Sequence, residues 1–250
     1  MFPYLSFGPF SLPIPELSLI IGFWLGTVLI DHELKKSNID QRLVDNLLWI
    51  LLLSGLLGAR LSYIARNISA FQGNLKAILS LNPALLDPAG GFLIALTSGY
   101  IFLSKNQISY WKILDGLVFV LSPILISLSF AKFASGKDYG LPTNLPWGIT
   151  LWGEIRHPVQ LYFIAAGIAV LLIIRFIYHQ RNHIPGYTFL IFLSLTSGSY
   201  LFLNRFLLPH IYLPGGYRLY QVLFWMVLTI SLALRIFLEK SFSQENSNGS

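Results

Sequence analysis

The chain has 250 residues, of which 54% are hydrophobic and only 11% charged, with a formal net charge of +6. A soluble domain carries about 25% charged residues, so this composition excludes an ordinary soluble fold and points to a protein that crosses a bilayer several times. Cysteine is absent, which excludes disulfides, thiolate metal sites and a cysteine nucleophile.

The first fifteen residues are apolar and broken by Pro3, Pro9, Pro13 and Pro15. They lack a basic n-region and a small-residue cleavage site, so they are expected to lie at the membrane surface and not to form a cleaved signal peptide. Seven continuously apolar runs follow: Leu17–Ile30, Leu47–Ile64, Gly91–Leu103, Ile113–Ala131, Val159–Tyr178, Tyr187–Leu203 and Tyr220–Phe237. A hydrocarbon core about 30 Å thick needs about 20 apolar residues per helix. Membrane strands would alternate apolar and polar positions instead. The expected fold is therefore all-α, a polytopic membrane protein of about seven transmembrane helices. Residues 1–240 would form one transmembrane domain and 241–250 a polar, mobile tail. Pro123 is expected to kink the fourth run, and Asp115 to cap the start of that same helix.

The basic residues are dispersed between the apolar runs and divide almost evenly between the two sides of this topology. Dispersal favours anionic lipid over nucleic acid as the partner. Basic residues kept on the exterior side would suit an anionic ligand. The five histidines show no HExxH or comparable ligand spacing, so no metal site is expected.

Charges at membrane depth usually face a cavity or a partner. Arg60, late in the second run, reads either as a snorkelling interfacial residue or as a functional cation. Gly90-Gly91 reads as a helix-entrance turn or as a close approach to a ligand. The richest segment, residues 132–162, contains Ser135-Gly136-Lys137-Asp138-Tyr139-Gly140, then Pro142-Thr143, Pro146-Trp147 and Glu154-Ile155-Arg156-His157-Pro158-Val159-Gln160-Leu161-Tyr162. Two clusters of ionisable residues on a rigid Pro and Gly framework point to function beyond a tryptophan anchor. Arg205 would be an interfacial anchor alone; with Arg60 and Arg156 it would complete a cationic site for phosphate.

At these residues the chain resembles the prolipoprotein diacylglyceryl transferase family. Gly58-Ala59-Arg60-Leu61-Ser62-Tyr63 resembles the family's G-[GA]-R-L-G-Y, and Gly90-Gly91 the glycine pair of its H-G-G motif. Tyr139-Gly140-Leu141-Pro142-Thr143-Asn144-Leu145-Pro146-Trp147 resembles Y-G-x-P-T-x-L-P-W. Arg156-His157-Pro158-Val159-Gln160-Leu161-Tyr162 resembles R-H-P-x-Q-L-Y, and Asn204-Arg205-Phe206-Leu207 the late R-F-L. The chain also departs from the pattern. Ala89 replaces the histidine before the glycine pair, and Leu17 stands for the tyrosine of the first helix. Over the signature G-R-x-G-N-F-x-N-G-E it has Ser129, Lys132, Ser135 and Lys137 in place of arginine, two asparagines and glutamate.

The resemblance implies a bacterial inner-membrane, multi-pass transferase that moves a diacylglyceryl group from phosphatidylglycerol to the cysteine of a lipoprotein signal peptide, with no cofactor. It implies His157 and Arg156 as catalytic residues. It implies Arg60, Tyr63, Gly90, Gly91, Lys132, Lys137, Tyr139, Gly140, Gln160, Tyr162 and Arg205 as substrate-binding. Lys132 and Lys137 would replace the lost arginine as charge. The alternative is a paralogue that binds lipid or signal peptide without turnover. A transporter is a third class, against which stands the lack of an internal repeat.

Overall fold

The computed structural model describes residues 2–8, 10–34, 40–71, 78, 82, 85–151, 153–180, 184–208 and 218–248. The chain divides into two compact units, Leu34–Ile113 and the remainder (Met1–Glu33 with Leu114–Ser250).

All seven apolar runs are helical. They are α1 (Ile14–Leu34), α2 (Gln41–Arg66), α4 (Pro88–Lys105), α5 (Tyr110–Ser135), α6 (Val159–Gln180), α7 (Tyr187–Leu203) and α8 (Leu219–Asn248); α3 (Ile68–Phe71) is a single turn after α2. Among the described residues, α1, α2, α5, α6 and α8 are long and apolar enough to cross a membrane. The 17-residue α7 is a shorter apolar helix, and α4 has 18 residues, which at 1.5 Å per residue span about 27 Å. Large apolar side chains lie on the outside, among them Trp24, Leu57, Phe92, Phe176 and Phe237, as a lipid solvent requires. The fold is that of a polytopic all-α membrane protein.

Three local expectations are corrected or extended. The N-terminal segment forms an antiparallel hairpin, β1 (Tyr4–Phe7) with β2 (Phe10–Pro13), in the register Tyr4↔Pro13 to Phe7↔Phe10. Gly8 at φ 58° makes its turn. The last helix continues to Asn248, past the start of the segment expected as a tail. Asp115 does not cap its own helix, whose first residue is Tyr110. Its carboxylate accepts the backbone N–H of Gly186 at 2.6 Å and of Phe189 at 2.8 Å, so it caps α7 instead.

In the larger unit, Phe119 of α5 sits edge-on to Tyr178 of α6, with centroids 5.1 Å apart. Ser18 of α1 reaches the Ser127 carbonyl of α5 at 3.3 Å. Tyr200 of α7 stacks on Phe224 of α8 at 3.8 Å, and the Ser194 and Ser231 hydroxyls meet at 2.8 Å between the same helices. Such hydroxyl pairs join helices where the hydrophobic effect does not. The buried Glu33, at the end of α1, pairs with Arg175 of α6 at 2.9 Å. A carboxylate at that depth needs such a partner.

In the smaller unit, α2 and α4 pack antiparallel, with Gly99 over Leu51 at one end and Gly91 over Gly55 near the other.

Candidate functional site

The larger unit brings three motif segments together by backbone pairing. Strand β3 (Ile149–Leu151) pairs with β4 (Glu154–Arg156), Ile149 opposite Arg156. On the far edge of β4 lies the extended segment 139–143. Thr143 N–H donates to the Ile155 carbonyl at 2.9 Å and His157 N–H to that of Leu141 at 3.0 Å. The same segment also receives the turn after α7, with Leu141 N–H donating to the Phe206 carbonyl at 2.8 Å. The Tyr-Gly-Leu-Pro-Thr, Arg-His-Pro and Arg-Phe-Leu motifs, spread over residues 139–207, are thus neighbours in one small sheet. Gly140 permits this. A Cβ there would lie 2.7 Å from the Cβ of His157 and the Cγ2 of Val159.

Arg156 sits at the centre of that sheet. Its Nη2 donates to Glu154 at 2.5 Å and its Nη1 to the Gly140 carbonyl at 3.3 Å. Its guanidinium lies 4.9 Å from the Tyr139 ring centroid. Only 14% of the side chain is exposed, and its buried Nε has no acceptor among the described residues. Arg156 therefore ties strand β4 to the segment 139–143 more than it projects into open space.

His157 and Tyr162 form a second group. The Trp147 Nε1–H donates to the Tyr162 hydroxyl at 2.7 Å, and that hydroxyl lies 3.3 Å from His157 Nδ1. The imidazole also packs against Phe206, with centroids 5.1 Å apart. When Nδ1 carries the proton and donates to that hydroxyl, Nε2 keeps its lone pair.

Leu207, bridged to Gly140 at the edge of this sheet, lines two adjoining cavities of about 440 and 230 Å³. They share Lys132, Asp138, Tyr200, Leu207 and Phe224. The larger adds Arg218 and Asn204, and the smaller adds Gln160, with Leu125, Phe163 and Val170 as apolar lining. Lys132 and Leu125 are seven residues apart on α5, about 10 Å along the helix. The space therefore has a charged end near the loops and an apolar end between the helices. Lys132 Nζ pairs with Asp138 at 2.7 Å. Gln160, 2% exposed, donates its Nε2–H to the Lys137 carbonyl at 2.8 Å, while its Oε1 is buried without a donor among the described residues.

The remaining expected residues of this unit are placed differently. Lys137 is exposed and contributes its carbonyl to Gln160. Arg205 is exposed in the turn after α7 and is not among the cavity residues. Arg218 is, and it donates to the Asn204 carbonyl at 3.2 Å. No sequence signal singled out Arg218, which lies outside the matched motifs.

The smaller unit holds Arg60, Tyr63, Gly90 and Gly91. Arg60 donates to the carbonyls of Ile78 at 3.0 Å and Leu85 at 2.8 Å, and its guanidinium lies 5.6 Å from the Phe71 ring centroid. Tyr63 meets Phe71 edge-on at 6.4 Å. Gly91 lets α4 approach α2, since a Cβ there would lie 2.7 Å from the Gly55 carbonyl. At Gly90 a Cβ would overlap the Ser62 side chain. Asp87, which sequence reading passed over, caps α4 through the Ala89 N–H at 3.2 Å. It also accepts the Ser62 hydroxyl at 2.5 Å and pairs with Arg66 at 3.3 Å. The Ser62 hydroxyl foremost, with Arg66, holds its carboxyl below the usual range against the opposite pull of burial. Asp87-Pro88 is itself a signal, an N-cap followed by proline at the first helical position.

Comparison with known proteins agrees with this arrangement. The family model described as prolipoprotein diacylglyceryl transferase matches residues 4–237. The phosphatidylglycerol–prolipoprotein diacylglyceryl transferase of Finegoldia magna is 25% identical over 92% of this chain and 94% of its own length. That of Clostridioides difficile is 25% identical over 88% of both, and that of Prochlorococcus marinus 30% identical over 70% of this chain and 66% of its own. The chain belongs to the prolipoprotein diacylglyceryl transferase family.

Proposed function

We propose that this chain transfers the diacylglyceryl group of phosphatidylglycerol to the thiol of a lipoprotein-precursor cysteine, in the bacterial cytoplasmic membrane. In that reaction the cysteine sulfur bonds to the glyceryl carbon while the carbon–oxygen bond to phosphate breaks. Glycerol phosphate leaves with the electron pair, and the thiol proton ends on solvent or on the departing phosphate. The enzyme must bring lipid and peptide together, favour the thiolate, whose free pKa is near 8.5, and stabilise charge on the phosphate.

The observation that carries this reading is the pairing of the three family motifs in one sheet whose Leu207 lines a cavity charged at one end and apolar at the other. An acyl chain suits the lining of Leu125, Phe163 and Val170, and a phosphate suits Lys132 and Arg218. Lys132 occupies a position where the family has asparagine, and it supplies charge near the place of the lost arginine without the bidentate fork. Arg156 acts by fixing the sheet. His157, held at Nδ1 by Tyr162, offers Nε2 as the base that draws off the thiol proton.

The test is genetic. In a bacterium depleted of its own transferase, the chain should restore growth and diacylglyceryl modification of lipoproteins. Accumulation of unmodified precursors despite normal membrane insertion would overturn the reading.

A further inference from the structure

The cavity holds more than a phosphate needs. Beside its two cations, Lys132 and Arg218, it has the carboxylate of Asp138, 2.7 Å from Lys132 Nζ. Gln160 adds a buried carbonyl oxygen with no donor among the described residues. The nearby hydroxyls of Ser129 and Thr196 donate to carbonyls of their own helices, so they do not satisfy it. A buried acceptor left without a donor costs about 1–3 kcal/mol. A ligand bearing only an anion would leave Gln160 Oε1 unmet and would compete with Asp138 for Lys132.

We propose that Asp138 and Gln160 read hydroxyl groups on the lipid headgroup, while Lys132 and Arg218 hold its phosphate. The ligand class is a phospholipid with a polyol headgroup. An ammonium headgroup also donates hydrogen bonds, but it brings a positive charge toward Lys132 and Arg218. A headgroup without donors satisfies the cations and leaves Gln160 Oε1 unmet. This assignment rests on the proposed function for the identity of the lipid and adds to it the two residues that discriminate.

The experiment compares phosphatidylglycerol with phosphatidylpropanol of the same acyl chains, which has the same three-carbon headgroup without hydroxyls. The full chain in nanodiscs containing both lipids is released and its retained lipid measured by native mass spectrometry, which needs no turnover. The wild type should retain phosphatidylglycerol over phosphatidylpropanol by about tenfold, equivalent to about 1.4 kcal/mol. Gln160→Leu removes its acceptor, and Asp138→Asn replaces a charged acceptor by a weaker neutral amide oxygen, so each should bring the ratio below about threefold. Asn tolerates the left-handed backbone at position 138, where φ is 54°, so Asp138→Asn remains informative if Gln160→Leu fails to fold. Equal retention by the wild type, or an undiminished tenfold preference in Asp138→Asn, overturns the proposal. Absence of peptide modification with the preference intact would count against the proposed transfer alone. Modification with no preference would count against this inference alone.

Discussion

Asp115, in the second turn of α5, accepts the backbone N–H of Gly186 at 2.6 Å, seventy-one residues away at the start of α7. Its second oxygen takes the N–H of Phe189 at 2.8 Å. One carboxylate thus satisfies two of the donors that a helix start leaves open. Asp115→Ala should destabilise the protein by about 2–3 kcal/mol, as for hydrogen bonds to a charged group. Asp115→Asn, which keeps one oxygen acceptor, should cost about half as much. Unfolding by SDS titration from mixed micelles measures both, and equal stability of Asp115→Ala and the wild type would remove the capping role.

The α2–α4 contact gives a sharp contrast between two glycines. A Cβ on Gly91 would lie 2.7 Å from the Gly55 carbonyl and 2.9 Å from the Ala59 Cβ, whereas one on Gly198 would meet nothing within 4 Å. Gly91→Ala should therefore cost about 1–3 kcal/mol through overpacking. Gly198→Ala should be neutral or stabilising by up to about 1 kcal/mol, since alanine is the better helix former. Thermal midpoints in detergent compare the two.

Asp87 sets a pH dependence on the start of α4. Its carboxyl is held below the ordinary value of 3.8, first by the Ser62 hydroxyl. A group whose folded pKa is depressed contributes stability that is complete above its unfolded value and is lost as pH falls through the folded one. Protection of the Ala89 amide against hydrogen exchange should therefore persist above pH 3.8 and fade below it. Ser62→Ala should move that fading to higher pH. A pH profile unchanged by Ser62→Ala would contradict the assignment.

Arg156 joins Glu154 and the Gly140 carbonyl through two different nitrogens. A lysine cannot form both contacts with the same planar geometry. Arg156→Lys should lower transfer about tenfold or more, through kcat more than through KM for lipid, because it misplaces the motif segments without removing the charges at the cavity. Steady-state kinetics with a lipobox peptide would show the split. A pure KM effect would instead place Arg156 in direct lipid binding.

The seven helices were legible because each is a continuous apolar run, and lipid demands just that of a spanning segment. The N-terminal hairpin was not, since four prolines and no charge in residues 1–15 describe a surface segment without specifying its pairing. Asp115 was recognised as a capping residue, but its partner helix is a tertiary fact that no local pattern carries. Lys132 and Lys137 read alike in sequence. They separate because α5 ends at Ser135 and Gly136 turns the chain at φ 71°, which leaves Lys132 on the cavity and Lys137 outside. Arg205 stood out through its motif and Arg218 did not, yet the cavity is lined by Arg218. Of the dispersed basic residues, Lys35, Lys36, Lys76 and Arg181 lie outside the described residues.

Transfer itself is read by mass spectrometry of a lipobox peptide incubated with the purified chain in phosphatidylglycerol liposomes, beside the Finegoldia magna relative. The peptide should become heavier by one diacylglyceryl group on its cysteine, with one glycerol phosphate released per peptide modified. An unmodified peptide, under conditions where the relative modifies it and this chain retains phosphatidylglycerol, would contradict the proposed transfer.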